Sequence, residues 1–160
     1  MNFIPSRFNI RVYGLLIDPE TRKLLVCDEV RFGKKFTKFP GGGLELGEGV
    51  LDGLRREWLE ETGLDIQNPR LFYVNDFLQV SAFSSQDQII SIYYLIDCNY
   101  LGKLKLKNNR FDFDLVQEGE ILFRLVEMEA PLLEEMSFPI DKIVVEKLMR
   151  LTGNLQFNGI

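Results

Sequence analysis

The stretch that decides the fold is Gly42–Leu64, GGLELGEGVLDGLRREWLEETGL, in which a glycine-rich approach leads into a helical pattern. The apolar spacing predicts a helix over residues 50–62, and Gly63 directly after it is a typical helix stop. Three apolar side chains share one stripe of this helix at i, i+3 and i+7, and they are Leu51, Leu54 and Trp58. We therefore expect a loop followed by an amphipathic helix with one buried side.

The same helix carries three acids, Glu57, Glu60 and Glu61, at i, i+3 and i+4, so they project from one face. Like charges at this spacing repel each other, and a divalent cation would reverse the sign of that interaction. Carboxylates without histidine or cysteine nearby favour Mg²⁺ or Mn²⁺ over zinc. The alternative is a solvated face on which Arg56 pairs with Asp52 and Glu60 at i±4.

Length and composition exclude several classes of protein and of active site. The chain has 160 residues, which predicts one domain over residues 1–160, and its net charge of -5 argues against a nucleic-acid partner or an anionic membrane. Hydrophobic residues are 46% and charged residues 27%, which excludes a disordered protein. Histidine is absent, and this excludes Ser-His-Asp triads and histidine-ligated zinc.

Targeting signals are not visible in the sequence. The longest apolar runs, residues 12–17 and 89–96, are far shorter than the about 20 residues of a membrane helix. Residues 1–7 lack a basic stretch followed by a long apolar segment, and Cys27 and Cys98 form no pattern. We expect a cytoplasmic protein in a reduced setting, with no membrane partner.

Hydrophobic periodicity predicts an α/β chain. Residues 9–17 and 23–30 are predicted to form a β-hairpin, and residues 31–38 a basic loop. The remaining predicted elements are strands over 69–80, 88–98 and 121–126, a loop over 100–109, a short helix over 129–136, a closing helix over 139–151 and a polar tail over 152–160.

A fixed motif spans the loop and the helix. It consists of Gly42, five residues, Glu48, seven residues, and then Arg-Glu, an apolar residue, any residue, Glu-Glu, any residue, Gly and an apolar residue over 56–64. Every specified position matches, so the stretch resembles the Nudix box of the Nudix hydrolase superfamily, whose members include MutT-like proteins. The resemblance implies an α/β/α sandwich with a mixed β-sheet and a catalytic loop-helix motif, over about residues 3 to 150.

The resemblance also implies roles for the motif residues. Glu57, Glu60 and Glu61, with the backbone carbonyl of Gly41, would bind Mg²⁺ or Mn²⁺. Glu48 would act through water or by orienting the cluster. Arg56 would orient the glutamates, and the alternative role is phosphate binding.

A further catalytic or metal-binding glutamate often comes from a loop before the last strand in this family. Residues 117–120 offer Glu118 and Glu120, of which we prefer Glu118, and the alternative is a charged turn.

Gly53 departs from the family's usual sequence, because many relatives have alanine there. A glycine inside a helix costs about 0.5–1 kcal/mol relative to alanine. We expect Gly53 to permit close packing and not to touch the acids.

Cationic and aromatic residues upstream of the motif are candidates for substrate binding. A diphosphate could reach the cations Arg31, Lys34, Lys35 and Lys38, which are interleaved with Phe32, Phe36 and Phe39. Of these we select Arg31, Lys38 and Phe39, and Arg11 on the first strand is a further candidate. The alternative is that these charges only keep a mobile loop soluble.

The function implied by the resemblance is hydrolysis of the pyrophosphate bond in a nucleoside diphosphate linked to another moiety, such as a nucleotide or a nucleotide sugar. The partner would be this small-molecule nucleoside diphosphate derivative, and a homodimer is expected only by resemblance. The alternative is a non-catalytic Nudix-fold sensor or scaffold that binds a nucleotide or metabolite.

Overall fold

The computed structural model describes residues 4–99 and 101–153. These residues form an α/β structure with a short 3-10 helix at Leu101–Lys103. Its strands are β1 (Arg7–Leu16), β2 (Leu24–Arg31), β3 (Lys34–Lys38), β4 (Gly41–Gly43), β5 (Ile66–Val74), β6 (Asp87–Cys98) and β7 (Ile121–Val126). Its α-helices are α1 (Val50–Thr62), α2 (Ala130–Glu135) and α3 (Pro139–Leu151).

The backbone divides into two compact units, and residues up to 15 and 40–99 form the first. Its sheet has the strand order β4-β1-β6-β5, and β4 pairs with β1 in antiparallel fashion, with Val12 opposite Gly42. Helix α1 buries Leu54 and Trp58 completely. The Trp58 indole lies against Gly14 of β1, and any side chain at Gly14 would collide with it. A glycine in the strand thus allows the bulky side chain of α1 to approach the sheet.

The second unit comprises residues 16–39 and 100–160, of which residues 100 and 154–160 lie outside the described part. Its sheet has the order β3-β2-β7 with antiparallel pairing on both sides of β2. Helix α3 begins with Pro139, whose fixed φ suits the first helical turn, and it has one buried face. The apolar residues of this face are Ile140, Val144, Val145, Leu148 and Met149.

The predicted β-hairpin of residues 9–17 and 23–30 is wrong. The turn between the strands exists, because the Asp18 N–H donates to the Lys23 carbonyl at 2.8 Å, but only the bridge Ile17–Leu24 joins the two segments. Both edges of β2 are occupied by β3 and β7, so no edge is left to accept β1. Each strand therefore belongs to a different sheet.

The predicted loop over residues 31–38 is also wrong, because Lys34–Lys38 is a strand paired with β2. The chain reverses at Phe32 and Gly33, which have φ values of 52° and 69°. Positive φ at both central residues is the geometry of a two-residue hairpin turn. The Phe32-Gly33 pair could therefore have indicated a tight turn between two strands, but the basic composition of the segment favoured the interpretation as a loop.

Other boundaries differ less. Strand β5 covers Ile66–Val74 instead of residues 69–80, and Val80 forms only an isolated bridge with Gln88. The apolar stripe of α1 includes Leu54 and Trp58 but not Leu51, which is 38% exposed. The strands over 88–98 and 121–126 and the helices over 50–62, 129–136 and 139–151 are confirmed within one or two residues. The predicted single domain stays a prediction.

The described α-helices were also compared with the length and hydropathy that a membrane span requires. None of those in residues 4–99 and 101–153 is long and apolar enough to cross a membrane.

Candidate active site

Helix α1 places two predicted metal ligands against the backbone of β4. The Gly41 N–H donates a hydrogen bond of 3.2 Å to Glu61 Oε2. The Glu57 carboxylate lies so close to Gly42 that a Cβ built there would be 2.5 Å from its Cδ and Oε2. Gly41 has φ of +142°, which favours glycine. Because Gly41 and Gly42 have no side chains, the carboxylates of Glu61 and Glu57 can contact the backbone of β4.

Arg56 connects the motif acids to each other. Its Nε and one terminal nitrogen donate to both oxygens of Glu48, at 3.0 and 2.6 Å. Arg56 also donates to Glu57 Oε1 at 3.0 Å and to the carbonyl of Gly43 at 3.0 Å. A planar guanidinium that donates in several directions fixes carboxylates better than a lysine could. The orienting role of Arg56 stays a prediction, for which these contacts provide the geometry. Of the two partners in the alternative solvated face, Glu60 lies 3.5 Å from Arg56, and Asp52 is not among these contacts.

Glu48 is fixed from three directions. Besides the two bonds from Arg56, its Oε1 accepts the backbone N–H of Glu45 at 2.7 Å. The hydrogen bond from Arg56 is the main reason that the pKa of Glu48 falls from 4.5 to about 2, and the Glu45 N–H adds to this effect. A carboxylate that accepts several donors is held in its charged form.

This low pKa predicts a pH dependence. A group whose pKa is lower in the folded than in the unfolded protein stabilises the fold above its unfolded pKa of 4.5 and loses that contribution as the pH falls towards about 2. We therefore expect the wild type to melt at a higher temperature than Glu48→Gln above pH 4.5, and the difference to shrink below it. Thermal melts of both proteins across this range test the expectation, and a difference that is independent of pH would contradict it.

Glu60 differs from the other two acids. Its side chain is 59% exposed and lies 3.5 Å from Arg56. Among residues 4–99 and 101–153, no three Cys, Asp or Glu side chains converge as a formed metal centre. The donor types nevertheless suit a hard cation. Glu57 and Glu61 each contact the Gly41–Gly42 backbone of β4, here called the glycine cradle, and the Glu60 side chain is exposed.

Arg11 lies next to this cradle. It pairs with Gly43 in the β1–β4 register, and a Cβ at Gly43 would be 3.9 Å from its terminal nitrogen. Its Nε donates to the Tyr13 hydroxyl at 2.6 Å. The predicted substrate residue Arg11 thus lies on the strand that pairs with the motif glycines.

The other predicted substrate residues lie in the second unit. Arg31 is half-exposed, with 3.6 Å between its guanidinium and Glu29. The Lys38 side chain is only 7% exposed and lies 3.2 Å from the Glu29 carboxylate, and Phe39 is completely buried. The predicted substrate contacts of Lys38 and Phe39 stay predictions, and their burial does not support them.

The predicted loop glutamate Glu118 holds the β2–β3 turn. Its carboxylate accepts the backbone N–H groups of Phe32 at 2.8 Å and Gly33 at 3.3 Å. Glu120 instead accepts a side-chain hydrogen bond from Gln117 at 3.1 Å. The catalytic role of Glu118 stays a prediction, and the contacts give it a second, structural role.

Substitutions of Glu118 can separate the two roles. Glu118→Ala should speed amide hydrogen exchange at Phe32 and Gly33 about tenfold, because both lose a charged acceptor. Glu118→Gln keeps a carbonyl oxygen for the Phe32 N–H but removes the charge, so it should largely preserve protection there. A fall of kcat in Glu118→Gln would support catalysis, whereas unchanged exchange in Glu118→Ala would contradict the turn contact.

The sequence analysis missed two residues of the site, Glu45 and Tyr13. Glu45 fixes Glu48 through its N–H and places its carboxylate 3.8 Å from Arg56. Tyr13 accepts the hydrogen bond from Arg11. Sequence spacing could have indicated both residues. Tyr13 is two residues after Arg11, so the two share one face of a strand, and Glu45 is three residues before Glu48, a distance that a turn closes.

The expectation that Gly53 does not touch the acids is wrong. A Cβ at Gly53 would be 2.8 Å from Glu48 Oε1 and 2.7 Å from Leu44 Cδ1. Gly53 is buried in α1, at a position where the sequence pattern shows only a helix-weakening residue.

Comparison with known proteins shows what this geometry is similar to. The model of the NUDIX domain matches residues 7–146. The mouse (Mus musculus) protein "Nucleoside diphosphate-linked moiety X motif 6" is 44% identical over 55 residues, which are 34% of this chain and 18% of that protein. The chain thus spans less than a fifth of the length of this curated relative.

Solved structures show the same fold at low identity. The Escherichia coli ORF135 protein has a TM-score of 0.64 at 15% identity, with 96% of each chain covered. The MutT structure from the study of Aliivibrio salmonicida and Vibrio cholerae has a TM-score of 0.61 at 19% identity, covering 91% of this chain and 99% of that one. A NUDIX hydrolase from Nitrosomonas europaea has a TM-score of 0.59 at 17% identity, covering 94% and 97%.

These similarities confirm the predicted fold class and family. The family model extends over most of the chain and includes both the glycine strand and the acidic helix. The chain therefore belongs to the Nudix family, whose members include the MutT proteins.

Proposed function

We propose that this protein is a divalent-metal-dependent hydrolase that cleaves the pyrophosphate bond of a nucleoside diphosphate linked to another moiety. The observation that carries the proposal is the meeting of Glu57 and Glu61 with the Gly41–Gly42 backbone. Carboxylates held against a glycine backbone provide oxygen ligands that suit a hard cation, which in turn binds the oxygens of a diphosphate.

The residues that would hold Mg²⁺ or Mn²⁺ are Glu57, Glu60, Glu61 and the carbonyl of Gly41. When bound, the metal supplies charge neutralisation for the diphosphate and lowers the pKa of water. Nudix hydrolases generally use such a divalent metal, and the acidic, histidine-free donor set of this chain is consistent with that preference.

The protein's own side chains would position the reactants. Arg56 holds Glu57 at 3.0 Å and is itself held by Glu48, so the acids keep their places before substrate arrives. Arg11, beside Gly43, is suited to bind a phosphate oxygen. In the reaction, the oxygen of a water bonds to one phosphorus and the water releases a proton to the solvent. The bond from that phosphorus to the bridging oxygen breaks, and the second phosphate leaves with the electron pair.

The substrate class rests on chemistry and on the relatives' names. The mouse relative is named for a nucleoside diphosphate-linked moiety, and MutT proteins share the fold. Acids at the cradle and an arginine beside it suit a metal-diphosphate rather than a long nucleic acid, in keeping with the net charge of -5. A homodimer stays a prediction.

The experiment is a turnover assay of the purified protein with Mg²⁺ or Mn²⁺. It uses nucleoside triphosphates, ADP-ribose, nucleotide sugars, dinucleotides and coenzyme A. We expect activity with one substrate class, and a loss of about 100-fold or more in Glu61→Gln, because the variant removes a charge from the cluster without changing its size.

The matched control is Glu146→Gln, which makes the same chemical change on the exposed side of α3 and should leave turnover unchanged. Addition of Mg²⁺ should also raise the Tm of the wild type and have less effect on Glu61→Gln. No activity with any substrate, together with nucleotide binding that is independent of metal, would reject hydrolysis in favour of a sensor.

A further inference from the structure

One face of the sheet in the first unit is only partly covered by helix α1. A Cβ built at Gly14 of β1 would meet Trp58 of α1 and Ile96 of β6, so Gly14 and Ile96 face the helix. Strands β1 and β6 are neighbours, and side chains two apart on a strand share a face. The same face therefore carries the residues that precede Gly14 and Ile96 at intervals of two, which are Phe8, Ile10 and Val12 on β1 and Ile90, Ile92 and Tyr94 on β6.

Strand β5 extends this face on the other side of β6. Leu71 lies opposite Tyr94, and Val74 lies opposite Ile92. Directly opposite residues of antiparallel strands project from the same face of a sheet. Leu71 and Val74 therefore belong to the face on which α1 packs, and this face extends over three neighbouring strands.

The part of this face away from Trp58 is apolar and open to solvent. Val12 and Ile96, which lie nearest to the helix, are buried. Farther along the strands the side chains are exposed or half-buried, and none of them carries a charge. These side chains, here called the open face, are Phe8, Ile10, Leu71, Val74, Ile90, Ile92 and Tyr94.

The sequence of β6 suits a sheet that is covered on both sides. Ile90, Ile92 and Tyr94 lie on the open face, whereas Tyr93 lies on the opposite face, where it is buried and stacks on Tyr13. A sheet with one face in water typically alternates apolar with polar residues, and strands that are buried on both faces are apolar throughout. Strand β6 has the second pattern, so we expect the open face to be covered.

We propose that a second copy of this chain covers the open face, in a homodimer that packs the two sheets against each other around a twofold axis. A twofold axis brings the same surface of both copies together, so the surface must be complementary to itself. An uncharged sheet face meets this condition, because two such faces pack about 10 Å apart through interdigitating apolar side chains. The inference goes beyond the proposed hydrolysis and does not depend on it.

The area of the open face agrees with what a stable dimer needs. The exposed parts of Phe8, Ile10, Leu71 and Val74 amount to roughly 400 Å², at about 200 Å² for a large apolar side chain. A specific interface buries about 800 Å² on each partner, of which somewhat more than half is non-polar. The open face thus provides nearly all of the apolar centre, and the polar surface around it provides the rim.

The experiment is sedimentation velocity of the full chain over a wide range of concentrations. We expect a dimer for the wild type, and dissociation at least about 100-fold easier in Leu71→Asp, because two carboxylates would be buried without partners. The matched control is Leu115→Asp in the second unit, since Leu115 is 60% exposed and Leu71 is 61% exposed. This control should leave the dimer unchanged. A wild type that is monomeric at every concentration, or equal effects of the two substitutions, would overturn the inference.

A second measurement needs no substitution and so decides the question even if Leu71→Asp fails to fold. The methyl signals of Ile90 and Ile92 should shift when the wild type is diluted from dimer to monomer in an NMR titration. The methyl signals of Ile140, which is buried in α3, should not shift. Shifts on dilution that leave Ile90 and Ile92 unaffected would overturn the inference, because the dimer would then use another surface.

Discussion

Gly42→Ala should lower turnover about 100-fold while changing the Tm by only a few degrees. The added Cβ would lie 2.5 Å from the Glu57 carboxylate, which is the far end of a flexible side chain and is held by Arg56 at 3.0 Å. This end can swing away, so the cost to folding is small. A displacement of about 1 Å in a group that positions reactants can nevertheless cost about 100-fold in rate. The first glycine of the motif is thus explained by the room that Glu57 requires.

Gly43→Ala is the matched control for this substitution. It changes the next residue of the same strand, where an added Cβ meets only Arg11, at 3.9 Å, which is an ordinary van der Waals contact. We expect its kcat to stay within about threefold of the wild type. Steady-state kinetics and thermal melts of both variants provide the comparison. Equal losses in the two would show that β4 tolerates no side chain at all and would refute the role assigned to Glu57.

The sequence predicts the helix and its acids well because their information is local. Glu57 and Glu61 are four residues apart, so helical geometry alone places them on one face. The partner of that face was not predictable from periodicity, because it is the backbone of β4. Arg56 illustrates the same limit. Of its two expected i±4 partners, Glu60 lies at 3.5 Å, but its strongest contacts are with Glu48, which precedes the helix.

Buried charges are the part of the fold that the sequence did not reveal. Asp28 lies within the apolar run of β2 and is completely buried, and its partner Arg124 is 96 residues away in β7. Patterns of apolar residues describe which side chains leave water, but they do not identify which distant charges pair. Such pairs form only when the strands that carry them are brought into register, here with Val26 opposite Arg124.

Arg124→Met should therefore destabilise the protein strongly, by about 3–5 kcal/mol, since removal of one partner leaves a buried charge uncompensated. Asp28 accepts from Arg124 Nε at 2.8 Å, from the Thr37 hydroxyl at 2.7 Å and from the Phe111 N–H at 2.9 Å. Burial lowers the pKa of Arg124, but its hydrogen bonds to Asp28 and Glu135 outweigh this and raise it. The guanidinium thus stays charged as the counter-ion of Asp28.

Urea denaturation of Arg124→Met measures this loss, and Arg150→Met is the control. Arg150 is exposed in the last turn of α3, so its substitution should change the free energy of unfolding by no more than about 0.5 kcal/mol. The predicted loss is a large part of the about 5–15 kcal/mol that stabilises a typical domain. A loss below about 1 kcal/mol in Arg124→Met would mean that the Thr37 and Phe111 donors alone stabilise the Asp28 carboxylate, and that the ion pair contributes little.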